Sequence, residues 1–221
     1  MGNSEVSRFR EFLKDRIRLQ IDFSKTDQSS GLPPPPIEKP CSPDAKRVRL
    51  AHKNEWKLPR SINLVEAIEN RQSHRHFRNE PLSLDEISFL LWATQGVRRK
   101  AEHGTAFRTV PSAGCRHALE TYLCILNVEG IEAGLYRYLP LSHELVLERS
   151  DPNLREKVAI AALGQTFVGL AAATFIWSAL PYRMEWRYGL ASCKVIALDA
   201  GHVCQNLYLA CEAIGAGTCA V

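Results

Sequence analysis

The chain has 221 residues, 45% of them hydrophobic and 24% charged, with a formal net charge of +4. These values fit a globular protein built as one generous domain, or as one domain with an extra arm. The mild charge holds no long basic run, so nucleic acid is not an expected partner, whereas an anionic small ligand needs only a local patch.

The N-terminus is polar, and no apolar core follows Arg8, Arg10 and Lys14, so no signal peptide is expected. Val6 occupies the Ser/Thr position that myristoylation at Gly2 would require. Phe9, Leu13, Ile17 and Ile21 recur at helical spacing, which predicts a short charged helix over residues 1–20. Residues 24–60 differ: Pro33 to Pro36 favour an extended polyproline segment, and Pro40, Pro43 and Pro59 continue it. Such a stretch is either a disordered linker or an ordered arm laid over the domain or a partner. Ile37, Val48, Leu50, Trp56 and Leu58 give an arm something to bury.

The compact domain is placed at 61–221. Asn63 and Glu66 resemble a helix start, with Leu64, Val65 and Ile68 as an apolar face. Ser83 and Glu86 form a capping box, Ile87, Leu90, Leu91 and Thr94 its buried stripe, and Gly96 a stop. Residues 97–118 read as loop. Strands are expected over 121–128, in a hairpin series through Leu135–Tyr138 and Leu145–Leu147, and over 172–178. A helix is expected from Asp151 to about Leu163, and a long one from near Lys194 to Gly215. The long helix is apolar over much of its girth, as in a core or a subunit interface. Helices mixed with hairpins indicate an α+β or mixed α/β domain. No stretch is long and clean enough to span a membrane. The seven cysteines include no C-x-x-C pair and lie mostly in apolar runs, which favours free thiols in a reducing cytoplasm.

Arg71-Gln72-Ser73-His74-Arg75 carries the first chemical signal. In an extended segment alternate side chains share a face, so Arg71, Ser73 and Arg75 would form a cup of donors suited to phosphate. Arginines that merely complement a helix dipole are the plainer reading. No G-x-G-x-x-G or P-loop pattern occurs. Only His74 and His76 lie close among the histidines, with no further ligand at metal spacing, so a metal site is not expected. His202 is expected as a packed core or interface residue.

Taken in order, several motifs resemble the nitroreductase-like flavoproteins. They are Arg71-Gln-Ser-His-Arg75-x-Phe77, Leu90-Leu-Trp-Ala-Thr-Gln-Gly96, Pro111-Ser-Ala-Gly114, Gly134-Leu-Tyr-Arg-Tyr138, Gly164-Gln165, Ala200-Gly-His-Val-x-Gln205-Asn206-Leu207 and Gly215-Ala-Gly-Thr-Cys219. The series looks most like the SagB/ThcOx-type dehydrogenase branch, whose N-terminal extension the Pro-rich arm of residues 1–60 also resembles.

The resemblance implies an α+β, FMN-binding fold with a mainly antiparallel central sheet flanked by helices. It implies a homodimer formed through the long C-terminal helix, with FMN at the interface. It implies hydride or electron transfer between NAD(P)H and a small electrophile or peptide-derived heterocycle. Carried over by position, Arg71, Gln72, Ser73 and Arg75 match the phosphate and ribityl or pyrimidine contacts. Pro111, Ser112, Ala113 and Gly114 match a loop that reaches the flavin of the other subunit, and Gln165 an amide on the isoalloxazine ring. Two arginines suit a phosphomonoester of about two negative charges.

Two departures stand out. Azoline-oxidising members use a Lys-Tyr pair where this chain has Arg187-Tyr188, and arginine is a poor base; Tyr188 can still donate or accept a proton. The segment around them, Met184 to Gly189, reads otherwise as a surface loop with packed aromatics. Family members also continue beyond the Gly-Thr-Cys segment, so the resemblance implies a missing C-terminal strand. The alternative expectation is a catalytically weak flavin-binding or dimerisation module.

Overall fold

The computed structural model describes residues 3–58, 62–101 and 105–221. Its strands are β1 (Arg47–Arg49), β2 (Val97–Ala101), β3 (Thr105–Arg108), β4 (Leu119–Ile125), β5 (Gly134–Leu139), β6 (Glu144–Arg149) and β7 (Ala173–Ala179). Five form one sheet in the order β1-β6-β5-β4-β7, every neighbouring pair antiparallel. β2 and β3 form a separate hairpin. The helices are α1 (Asn3–Arg10), α2 (Leu64–Asn70), α3 (Leu84–Gln95), α4 (Leu154–Ala161), α5 (Tyr182–Tyr188) and α6 (Ser192–Ile214). The expected α+β fold is present. Among the described residues no helix is long and apolar enough to cross a membrane.

Alternation along β4 sorts the two layers, because successive strand side chains point to opposite faces. Leu123 and Ile125 pack with Ile87 and Leu91 of α3, and Leu119 packs with Val203 of α6. Cys124 points the other way and packs with Leu154 and Val158 of α4. α3 starts as its residues dictate: Ser83 and Glu86 satisfy each other's backbone amides, and Gly96 ends the helix. α6 ends at Gly215, which takes the left-handed conformation (φ 74°) that favours glycine.

Several local expectations are corrected. The predicted helix over 1–20 stops at Arg10, and two 3-10 turns follow, broken by an extended Lys14. The apolar residues of α2 remain exposed, and of that helix only Ala67 is buried. A helix of two turns reaches α6 with one narrow strip. Val97–Ala101 and Thr105–Arg108, expected within a loop over 97–118, pair as an antiparallel hairpin; residues 102–104 lie outside the described residues. The hairpin's first strand, Val-Arg-Arg-Lys-Ala, has no apolar alternation by which to recognise it; Arg99 instead stacks on Phe107 at 4.7 Å. The Met184–Gly189 segment is largely helical and not a surface loop, with Met184 and Trp186 buried. Of the two places expected for His202, core or interface, the core is excluded, since the residue is exposed on α6.

As far as residue 58 the Pro-rich stretch is an ordered arm, while Pro59 lies outside the described residues. Polyproline backbone makes no internal hydrogen bonds, so its carbonyls are open acceptors, and proline leaves no orphan N–H. Guanidinium groups of the domain use those carbonyls. Arg183 Nε donates to Pro36 O (2.6 Å), Arg108 Nη2 to Ile37 O (2.7 Å), and Arg137 Nη1 to Lys39 O (2.7 Å). Trp186 Nε1 donates to Leu32 O (3.0 Å). The arm then adds β1 to the β6 edge, inserts the fully buried Leu50 into the core, and sets Trp56 edge-on against Phe89 and Trp92. One edge of the sheet is thereby covered by the arm, while β7 forms the other edge.

Candidate functional site

The candidate residues fall into two groups at different levels of α6. The first surrounds Tyr208. Residues 71–75 run extended beside the segment after α6: Ser73 pairs with Thr218 in a parallel bridge, and His74 N donates to Thr218 O at 3.0 Å. The bare backbone of Gly217 makes this approach possible, since a Cβ there would lie 2.9 Å from His74 Cβ. Extension separates the side chains by parity. Ser73 Oγ lies 2.9 Å from Tyr208 Oη, and the Arg71 guanidinium sits 5.4 Å from the Tyr208 ring centroid. Ala220 N also donates to Tyr208 Oη (2.8 Å).

Gln72, His74 and His76 line a different space, a groove of about 920 Å³ along the start of β7 and the Gly215–Thr218 segment. Arg71 borders that groove, whereas Ser73 and Arg75 do not. Gln72 therefore stands apart from the Tyr208 side of the strand. Among the described residues, neither Arg71 nor Arg75 has a carboxylate within 4.0 Å. Arg75 is exposed and Arg71 half-buried.

The second group lies nearer the start of α6. Asp199 is buried, and its Oδ1 accepts from Ala113 N at 3.2 Å; the Ser112 hydroxyl also bonds this carboxylate. Ser112 Oγ in turn accepts from His117 N at 2.9 Å. These bonds hold the Pro111–Gly114 turn against the helix. Burial pushes the Asp199 carboxyl above its ordinary range, opposed by the Ser112 and Ala113 bonds, and its Oδ2 has no partner. Gly114 has φ 56°, and a Cβ there would meet Arg187 Cδ, Arg187 Nε and Tyr188 Oη, each at 2.8 Å. The structure thus brings Arg187 and Tyr188 of α5 together with the Pro111–Gly114 turn.

Asp199 and Tyr208 are nine residues apart on one helix, or about 13 Å along its axis at ~1.5 Å per residue. The two groups are not joined within the chain. Gln165 stands outside both. It is exposed after α4, and its Nε2 donates to Ala162 O at 3.1 Å.

Three further residues matter that the sequence did not single out: Tyr208, Asp199 and Arg116. Asp199 carried a usable signal, as one of two acids, with Glu212, in the otherwise largely apolar α6. Tyr208 and Arg116 carried none, because their partners are distant in sequence.

The Nitroreductase family profile matches residues 68–221. A Methanocaldococcus jannaschii protein provisionally named a nitroreductase is 37% identical over 169 residues, covering 76% of this chain and 83% of that one. The trifolitoxin-processing protein TfxB of Rhizobium leguminosarum bv. trifolii is 32% identical over 142 residues; these cover 61% of this chain but 38% of that longer protein. A crystal structure from Ralstonia eutropha, provisionally titled a nitroreductase, superposes with a TM-score of 0.62 at 30% identity. That match covers 84% of this chain and 83% of the other.

Proposed function

The chain belongs to the nitroreductase family, and from that membership we propose that it is an FMN-dependent oxidoreductase acting as a homodimer. Its reaction moves hydride or electrons between NAD(P)H and a small electrophile or a peptide-derived heterocycle. The observation that carries this reading is the split site. Arg71, Ser73 and Arg75 stand at the Tyr208 level of α6, and the Pro111–Gly114 turn stands at the Asp199 level. Along this part of α6 the helix presents a solvent face of Ala197, Leu198 (55% exposed), Gly201, His202 and Gln205. Two copies packed antiparallel across that face would set the first group of one beside the second group of the other. A small-residue strip permits such close approach of helices.

The residues present fit FMN. Arg71 and Arg75 lack carboxylate partners among the described residues, so they offer positive charge to a phosphate. The missing side chain at Gly114 lets Arg187 and Tyr188 pack directly on the turn, which sets both beside the surface proposed to meet the ring. Arg71, Ser73 and Arg75 would hold the phosphate, and Tyr208 would orient the Ser73 hydroxyl. Pro111–Gly114 would meet the ring, held in place by Asp199. Gln165 would give its amide to the ring edge. FMN, when bound, supplies the two-electron redox chemistry, and the protein supplies binding and orientation. Tyr188, packed on Gly114, is the group placed to donate or accept a proton. Arg187 keeps its charge and orients negative groups. A place in the SagB/ThcOx-type branch is supported by the likeness to a peptide-processing protein.

Reconstitution with FMN tests the reading. The protein should acquire flavin absorbance, and Arg71→Ala and Arg75→Ala should each weaken FMN binding by about 1.5–3 kcal/mol, the usual worth of a charge-assisted bond. A protein that takes up no FMN would overturn the proposal. Unchanged titrations in both variants would overturn the phosphate assignment alone.

A further inference from the structure

Arg116 is the least satisfied of the buried arginines: Arg108 also leaves its Nε without a partner but donates to Gln95 Oε1 and Ile37 O. Arg116 is 4% exposed, and neither its Nε nor its Nη2 has a hydrogen-bond partner. Its guanidinium lies 4.8 Å from the Trp186 ring centroid, so one face is stacked. Among the described residues no carboxylate lies within 4.0 Å of it or of Arg187. Burial first, and then the nearby charge of Arg187, hold the Arg116 pKa below its ordinary value. Two cations thus share one neighbourhood without a counter-charge. A buried, unpaired charge is costly and needs a partner to offset it. Arg187 is half-buried and reaches the surface with Tyr188 over Gly114.

We propose that Arg116 and Arg187 form a receptor for a carboxylate carried by the substrate, so that the enzyme prefers anionic over neutral substrates. The inference rests on the flavin reading, which places the Gly114–Tyr188 surface at the reacting face. A carboxylate fits because two planar guanidinium forks offer paired donors at fixed geometry. The FMN phosphate is a poorer match, since its donors are the Arg71 and Arg75 group at the other level of α6.

The test is calorimetric titration of the protein with 4-nitrobenzoate and with uncharged 4-nitrobenzamide. It is run without a nicotinamide reductant, both before and after saturation with FMN. The parent should bind the carboxylate at least about 10-fold more tightly than the amide, the fold expected of one charge-assisted contact. Arg187→Met and Arg116→Met should each remove most of that preference, read as the ratio of the two affinities in the same variant. Thermal unfolding checks that both variants fold; Arg187, being half-buried, decides the matter if Arg116→Met does not. Equal affinity for the two probes, or an unchanged preference in Arg187→Met, overturns the proposal. So does displacement of the bound carboxylate by FMN, which would assign these arginines to the flavin phosphate. FMN binding without charge preference leaves the flavin reading intact and sinks this one; charge preference without FMN binding does the reverse.

Discussion

Arg183 and Arg116 are buried alike, at 2% and 4% exposed, yet their surroundings are opposite. All three nitrogens of Arg183 have acceptors: Pro36 O (2.6 Å), His117 O (3.3 Å) and Glu120 Oε1 (2.5 Å). Arg137 is equally complete, bonding Glu148, Lys39 O and Pro40 O. Arg116 has a stacked ring and two unpartnered nitrogens. The satisfied set fixes the arm to the domain. The unsatisfied residue lies beside Arg187, within the group proposed to meet flavin and substrate. Burial alone therefore does not tell a structural arginine from one that awaits a ligand; completeness of its hydrogen bonds does.

Stability measurements should separate the two most widely. Arg183→Met leaves Glu120 with Lys39 N and a 3.9 Å approach to Arg137, so it should cost about 3–5 kcal/mol, the range for breaking a buried pair. Arg116→Met keeps the apolar contact over Trp186 and removes a charge without a partner. It should be neutral or stabilising by roughly 1 kcal/mol. Urea unfolding midpoints measure both, and similar losses in the two variants would break the contrast.

His117 lies between the two sets, and its behaviour sharpens the comparison. Burial, then the charge of Arg108, lower its pKa to about 3, opposed by a backbone bond with Ala106. The ring is neutral in the fold and protonates more readily when unfolded. Stability is thus lost as pH falls below about 6.5, progressively toward about 3. Between pH 7 and pH 5 the loss should reach about 2 kcal/mol by linkage. In His117→Asn, which tolerates the positive φ at this position, that part of the slope should vanish. Parallel slopes in parent and variant would show that burial and the nearby arginines do not hold the ring neutral.

The smallest effect is expected at the satisfied end of α6. Tyr208→Phe removes the hydroxyl shared by Ser73 and Ala220 N and should cost about 1 kcal/mol of stability, the net value of an ordinary hydrogen bond. Its FMN affinity should fall less than in Arg71→Ala. A larger fall would make the hydroxyl a direct contact and not a support for Ser73.

Much of the fold was legible because its signals are local. The Ser83 and Glu86 capping box, the stop at Gly215 and the apolar runs and turns that mark β4 to β7 all depend on residues near one another in the chain. The alternation over 71–75 was legible for the same reason, and it does set Ser73 toward Tyr208 while Gln72, His74 and His76 turn to the groove. The pairing of β2 with β3 was not legible, because Arg98, Arg99 and Lys100 hide the period of β2. Nor was α5, seven residues long and rich in aromatics.

The sequence by itself determined α3, α4, α6 and strands β4 to β7 of the main sheet, together with the family motifs, since each is written in near neighbours. Tertiary structure alone decided which arginines are paired. Arg183 meets Pro36 across 147 residues, and Ser73 meets Tyr208 across 135. Pairing of that kind depends on where a layered sheet and a folded-back arm deliver distant backbone carbonyls. Nothing in the composition around Arg116 or Arg183 distinguishes the one left without a partner.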